Sequence, residues 1–148
     1  MTDYADQMMA DLMEGIAFLG RRGSMNKIGW SVSWVLRDEY RLRDEVQPNV
    51  LVIQGIELAD FRRGQGHFSA FVDRLCAAGS CAGLSFDWVA FENCCDSLIA
   101  ILEHKGFAVP DRLYRRVGYR QTRQLLLPFD LPATTQSKPA RRSAIKDT

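Results

Sequence analysis

Residues 59–68 read Ala-Asp-Phe-Arg-Arg-Gly-Gln-Gly-His-Phe, a pair of arginines followed by two glycines one residue apart. The segment lies between an aliphatic run, Val50–Leu58, and a stretch with apolar residues at helical spacing: Phe68, Phe71, Val72, Leu75 and Cys76. A turn from strand to helix presents unpaired backbone N–H groups at the positive end of the helix dipole. Gly64 and Gly66 lack the Cβ atoms that would block an approaching anion, and Arg62 and Arg63 add charge beside them. The segment therefore reads as a phosphate or pyrophosphate cradle. It has no Gly-Lys-Ser/Thr ending, as a Walker A loop would, and Ser69 stands where a dinucleotide loop would place its third glycine. By itself, a glycine-rich turn without a ligand is the alternative reading.

Other chemically capable residues are few. Cys76, Cys81, Cys94 and Cys95 are separated by four, twelve and no intervening residues. That is not the paired spacing of a zinc site, and neighbours on a strand point to opposite faces. Reduced thiols and no metal site are expected. Of the two histidines, His67 opens a helix, and His104 lies where it would complement a helix C-terminus.

The elements that must position the loop follow from periodicity. Thr2 or Asp3 can cap a first helix in which Met8, Leu12, Ile16 and Leu19 recur before Gly20 stops it. Arg21–Lys27 reads as a polar loop. From Ile28 the period becomes two, with Trp30, Val32, Trp34 and Leu36 alternating with Gly29, Ser31 and Ser33, a half-buried strand. Arg37–Asn49 is charged and reads as a hairpin or partly extended loop. Val50–Leu58 reads as an interior strand, in which Gly55 suggests a bulge or a close approach. A helix ending at Gly79, a strand over Leu84–Phe91 and a helix from Cys95 or Asp96 to Gly106 follow. Strand-like pieces at Tyr114–Tyr119 and Arg123–Phe129 complete the order, which makes an α/β or α+β domain around a mixed sheet.

Composition bounds the partners. The 148 residues are 47% hydrophobic and carry a formal net charge of +1, which suits one domain with an ordinary core rather than a disordered chain. No apolar run reaches the ~20 residues of a membrane span. Near neutrality is also unlike a protein that coats nucleic acid. Met1–Asp11 carries three aspartates, and no basic residue precedes Arg21, the reverse of a secretory leader, so a cytoplasmic protein is expected. Residues 132–148 lose periodicity and read as a disordered basic tail. Residues 133–148 sum to +3 and the rest of the chain to −2, so the domain is expected to be 1–131.

The segment from Ile56 through Leu58 to Arg63-Gly64-Gln65-Gly66-His67-Phe68 resembles motif A of the GNAT superfamily of acyl-CoA-dependent N-acyltransferases, with Phe68 where that motif has Gly or Ala. Trp88–Asn93 and Leu98–Phe107 resemble motif B, a strand ending near an Asn and a helix running into Gly-Phe. Arg123–Leu131 resembles the closing strand. The resemblance covers about Val50 to Leu131. It implies a mixed, mostly antiparallel central sheet, splayed between its fourth and fifth strands and flanked by helices. The segment before Val50 is short for the family, and Leu102 stands where many members carry a tyrosine general acid.

The resemblance further implies an N-acetyltransferase that moves an acetyl group from acetyl-CoA to a primary amine by direct attack, without a metal. The pantetheine arm would pair with strand groups at Ile56 and Leu58, and the pyrophosphate would sit on amides from Arg63 through Phe68, with Asn93 at the end of the next strand. An amide near Leu58 would stabilise the oxyanion. Glu57 and Glu92 are the candidate bases, with Asp60 a weaker third. Tyr114, Tyr119 and the arginines at 112, 115, 116 and 120 are candidates for the acceptor side, together with the first helix, the loop after it and Arg37–Asn49. The acceptor is not legible, and a homodimer is the family's habit. The alternative is a non-catalytic GNAT-fold module that binds a protein partner.

Overall fold

The structure, a computed structural model, describes residues 3–42 and 44–122. The expected strand at Arg123–Phe129, the domain limit at 131 and the tail at 132–148 lie outside the described residues. Helix α1, Tyr4–Leu19, is capped by Asp3, whose carboxylate accepts the Asp6 N–H at 2.9 Å. It stops at Gly20, with φ +87°. Arg22–Asn26 then forms strand β1, where a polar loop is expected from the sequence. Its exposed side chains, Arg22, Ser24 and Asn26, are polar, and Met25 alone is apolar, too little for a hydrophobic period. What fixes it is pairing with β2, Trp30–Leu42, in which Ser24 lies opposite Ser33 and Asn26 opposite Ser31.

Strand β2 pairs antiparallel with β3, Glu45–Leu58, so the charged connection expected at Arg37–Asn49 is a hairpin whose two strands run to Leu42 and from Glu45. The expected strand start at Ile28 shifts to Trp30: Ile28 is 92% exposed in the turn before β2. The register slips at Ser33/Trp34 because Gly55 pairs with Ser33 while Ile53 pairs with Trp34, leaving Gln54 as the extra residue of a bulge. Helix α2, His67–Ala78, is the crossover from β3 to the parallel strand β6, Trp88–Phe91. The run Leu84–Phe91 is not one strand. Ser80–Cys81 (β4) and Leu84–Ser85 (β5) make a separate small hairpin before β6. Helix α3, Asp96–His104, follows, and the chain returns antiparallel as β7, Gly118–Gln121. The expected strand at Tyr114–Tyr119 begins only at Gly118, because Asp111 accepts the amides of Leu113 and Tyr114 and holds 111–114 as a turn.

The sheet order is β1-β2-β3-β6-β7, antiparallel except for β3 and β6. One core gathers Met8, Leu12 and Ile16 of α1, Phe71 and Leu75 of α2, and Ile99 and Leu102 of α3. They pack against the sheet face bearing Trp30, Trp34, Leu51, Ile53, Val89 and Phe91. Val50, Val52 and Ala90 belong to a second cluster with Tyr40 and Val117. A buried carboxylate also helps seat α1: Asp11 accepts the indole N–H of Trp30 at 3.0 Å and the Gln7 amide at 2.9 Å. Among the described residues no helix is long and apolar enough to cross a membrane.

Candidate functional site

Strand β3 runs to Leu58, but β6 stops at Phe91, so the two are paired only from Val50 to Ile53. Past that point the sheet opens. Glu92 N–H still reaches the Ile53 carbonyl at 2.9 Å, and the Asn93 side-chain amide donates to the Gln54 carbonyl at 3.0 Å. Asn93 closes the ladder from a left-handed conformation, φ +58°, that asparagine tolerates. Beyond it the edge of β3 has no strand partner among the described residues. Ala59 N–H bonds Gly29 on the β2 side, whereas the Leu58 carbonyl accepts Arg63 Nε at 2.8 Å on the other side. Strand alternation therefore turns the peptide groups of Ile56 and Leu58 toward the opening. The splayed pair is β3 and β6 in this chain, since only β1 and β2 precede β3 among the described strands.

The opening is a cleft of about 1070 Å³. That is just above the ~300–1,000 Å³ of small-molecule sites, room for a long ligand. One wall is the free edge of β3 with Ile56, Glu57 and Leu58; the next is Arg62–Gly64 and Gly66–Ser69; the third is Asn93, Cys95 and the start of α3. The residues expected to form the cradle, except Gln65, thus line one cleft.

The glycine loop has amides to offer. The N–H groups of Arg62 and Arg63 are spent on Ala59 and Asp60 in a short 3₁₀ turn, and the helical bonds of α2 begin with Ala70 N–H to Gly66. Between them, the amides of residues 64–69 have no acceptor among the described residues. Gly64 and Gly66 adopt φ +74° and +82°, and a Cβ on either would meet no atom within 4 Å. Backbone conformation therefore selects these glycines, while packing leaves the space in front of them open. The unspent amides run from Gly64 to Ser69, one residue on from the expected Arg63–Phe68.

Arg63 differs from its expected role in another way. Its guanidinium folds back onto the Leu58 carbonyl, Glu57 at 3.4 Å and Asp60 at 3.3 Å, so it braces the loop against β3. Gln65 does not line the cleft; its side chain bonds the Phe61 carbonyl and the His67 ring. Phe68 lines the cleft and packs edge-on against Phe91 at 5.8 Å.

The two candidate bases separate. Glu57 lines the cleft with its side chain 74% exposed, opposite Ser31 and two rungs from the Ser24–Ser33–Gly55 row. Glu92 does not line it. Its carboxylate accepts the Tyr40 hydroxyl on the side of the sheet holding the second core cluster. Burial, with Glu92 beside it, pushes the Tyr40 phenol up to about 12. Asp60 pairs with Arg63, as Glu57 does, but does not line the cleft.

The arginines near β7 are also engaged elsewhere. Arg112 pairs with Glu103, Arg116 with Asp96 and the Cys94 carbonyl, and Arg115 bonds the Arg41 carbonyl and stacks over Tyr40. Neither they nor residues 37–49 line the cleft. On the side away from the glycine loop its lining is Ser24 and Asn26 of β1 with Ser31 and Ser33 of β2. Of this face, the sequence points to Ser24 and Asn26, which lie in the loop expected after the first helix, but not to Ser31 and Ser33, whose one visible signal is their alternation with the Trp30/Trp34 stripe.

Cys95 lines the cleft at the N-cap of α3 and is exposed; bonds from Ser97 and the Leu98 amide lower its thiol. Burial pushes Cys76, Cys81 and Cys94 up to about 11. No group of three or more His, Cys, Asp and Glu among the described residues is placed to hold a metal ion.

No family model matches the chain, and no curated protein matches it. Two solved structures are similar. One is a mutant AtaT toxin bound to the C-terminus of the antitoxin AtaR and acetyl-CoA, at 10% identity and a TM-score of 0.49 over 64% of this chain and 59% of that one. The other is the KacTA–DNA complex, at 11% identity and 0.49 over 67% and 64%. The chain spans less than two thirds of the length of either neighbour.

Proposed function

We propose that this chain is an N-acetyltransferase that transfers the acetyl group of acetyl-CoA to a primary amine. The observation that carries the reading is the row of unspent amides from Gly64 to Ser69 at the N-terminus of α2, next to a strand edge with free peptide groups. A helix N-terminus with open glycines suits a diphosphate. A free strand edge suits an extended amide-bearing arm, which would add to β3 as another strand does.

In this arrangement Gly64–Ser69 hold the diphosphate, Ile56 pairs with the pantetheine amide, and the Leu58 N–H donates to the acyl oxygen as negative charge develops there. Arg63 keeps that part of β3 in place through the Leu58 carbonyl. The amine approaches across Ser24, Asn26, Ser31 and Ser33. Glu57, directly or through water, removes the proton that makes the amine nucleophilic. The new C–N bond forms as the C–S bond breaks, and the leaving thiolate takes up a proton. Most of the rate comes from holding the two reactants side by side.

The second reading, a binding module without turnover, is favoured by one observation. Leu102, where many members of the resembled family carry a tyrosine acid, is fully buried in the core. Release of free thiol from acetyl-CoA with a panel of amines, peptides and proteins separates the two. The enzyme releases thiol with at least one acceptor, and Glu57→Gln lowers kcat by ~100-fold or more, the usual size for a lost base, with KM for acetyl-CoA changed less than about threefold. Acetyl-CoA binding with no release across the panel supports the module, and an unchanged kcat removes Glu57 from the mechanism.

A further inference from the structure

Arg62 stands apart from the other cation of the loop. Arg63 is held by a carbonyl and two carboxylates, but among the described residues Arg62 has no carboxylate within ion-pair distance, and its buried Nε has no hydrogen-bond partner. Its guanidinium nevertheless has a fixed place in the cleft wall. It lies over the Tyr4 ring at 3.8 Å, and Tyr4 in turn packs edge-on against His67 at 5.0 Å.

Three features hold Tyr4 there. It is the first residue of α1, directly after the Asp3 cap. That end of α1 is tied to α2 by Arg74, which pairs with Asp3 at 2.8 Å and Asp6 at 3.0 Å. Gly29 makes room: a Cβ there would lie 2.1 Å from the Tyr4 hydroxyl oxygen and 3.2 Å from Arg62 Nε. Gly29 has no positive φ, so the close approach of this pair, and not backbone conformation, requires glycine.

Stacking on an aromatic face orients a guanidinium while leaving its N–H groups in the ring plane free to donate. An arginine so held, with no carboxylate to neutralise it, next to open backbone amides, is arranged for an oxyanion that comes from outside the chain. We propose that Arg62 binds a phosphate group of the acyl-CoA and that Tyr4, seated by Gly29, is the positioning residue that holds it. The inference rests on the acyl-CoA reading above. It brings the first turn of α1, remote in sequence from the glycine loop, into the ligand site.

Equilibrium titration of the full chain with acetyl-CoA tests it, with far-UV circular dichroism confirming the fold of each variant. Arg62→Gln is expected to weaken binding about 10- to 100-fold, the range of a lost charge-assisted hydrogen bond. The same variant should flatten the dependence of affinity on salt. Tyr4→Leu is expected to cost about 3- to 10-fold, and Tyr4→Phe, which keeps the ring, less than twofold. Because Tyr4 acts through Arg62, Arg62→Gln with Tyr4→Leu should bind no more weakly than Arg62→Gln alone. Fully additive losses, or Tyr4→Leu binding as the native chain does, would overturn the role of Tyr4. Native affinity in Arg62→Gln would overturn the phosphate contact. If the native chain itself does not bind acetyl-CoA, it is the acyl-CoA reading that fails.

Discussion

Replacing Gly66 with leucine is expected to abolish the rise in melting temperature that saturating acetyl-CoA gives the native protein. Ligand at 100 times its dissociation constant stabilises the folded state by roughly 2.7 kcal/mol, several degrees for a domain of this size. Gly66 is the N-cap of α2 at φ +82°, in the middle of the unspent amides. A leucine there has two effects. Holding a non-glycine residue at that φ costs about 1–2 kcal/mol of stability. Its side chain also enters the open space before the amides, where packing meets no neighbour but a diphosphate would. The first effect lowers the melting temperature with or without ligand; the second removes the difference between them. Differential scanning fluorimetry at matched acetyl-CoA concentrations separates the two, and a ligand-induced shift equal to the native one would show that the amides are not the site.

The largest effect on stability is expected from Trp34→Ala, about 3–5 kcal/mol, the usual range for deleting a buried aromatic side chain. Trp34 is 0% exposed, and its indole N–H donates to the Gly20 carbonyl at 3.1 Å, the carbonyl that ends α1. Two glycines make its berth: a Cβ on Gly15 or Gly23 would lie 2.8 Å from the indole ring. Truncation thus empties a cavity between α1, β1 and β2, and leaves a carbonyl without its donor. A fall of roughly 10–15 °C in melting temperature corresponds to that loss. Trp34→Phe, which keeps most of the volume, should cost clearly less. Equal losses for the two variants would mean that the hydrogen bond, rather than the filled volume, governs the site.

What the sequence made legible follows the kind of signal each element carries. The first helix, the interior strand at Val50–Leu58 and the helix after the glycine loop announce themselves through apolar periodicity and glycine stops, and they position the glycine loop. The bulge suspected at Gly55 is present, one residue away at Gln54. Strand β1 was illegible because Arg22–Asn26 has a single apolar side chain, Met25, and is a strand only through its partner. The run Leu84–Phe91 looked continuous because hydrophobicity does not reveal the break between β5 and β6.

At the site, the backbone chemistry of the loop could be read from glycine and helix signals, but the fates of its side chains could not. Arg62 and Arg63 are identical residue types and neighbours. One is consumed by Leu58, Glu57 and Asp60, while the other is stacked on Tyr4, and only the fold tells them apart. The same holds for Glu57 and Glu92: both follow apolar strand residues, Ile56 and Phe91, yet Tyr40 claims one of them. Partners distant in sequence leave no local trace.

Isothermal titration of the native chain with acetyl-CoA tests the central claim most directly. The expected result is saturable binding of one acetyl-CoA per chain, weakened as salt screens the phosphate contacts. The absence of saturable binding, together with an unchanged melting temperature at millimolar acetyl-CoA, would contradict the assignment of the cleft as an acyl-CoA site.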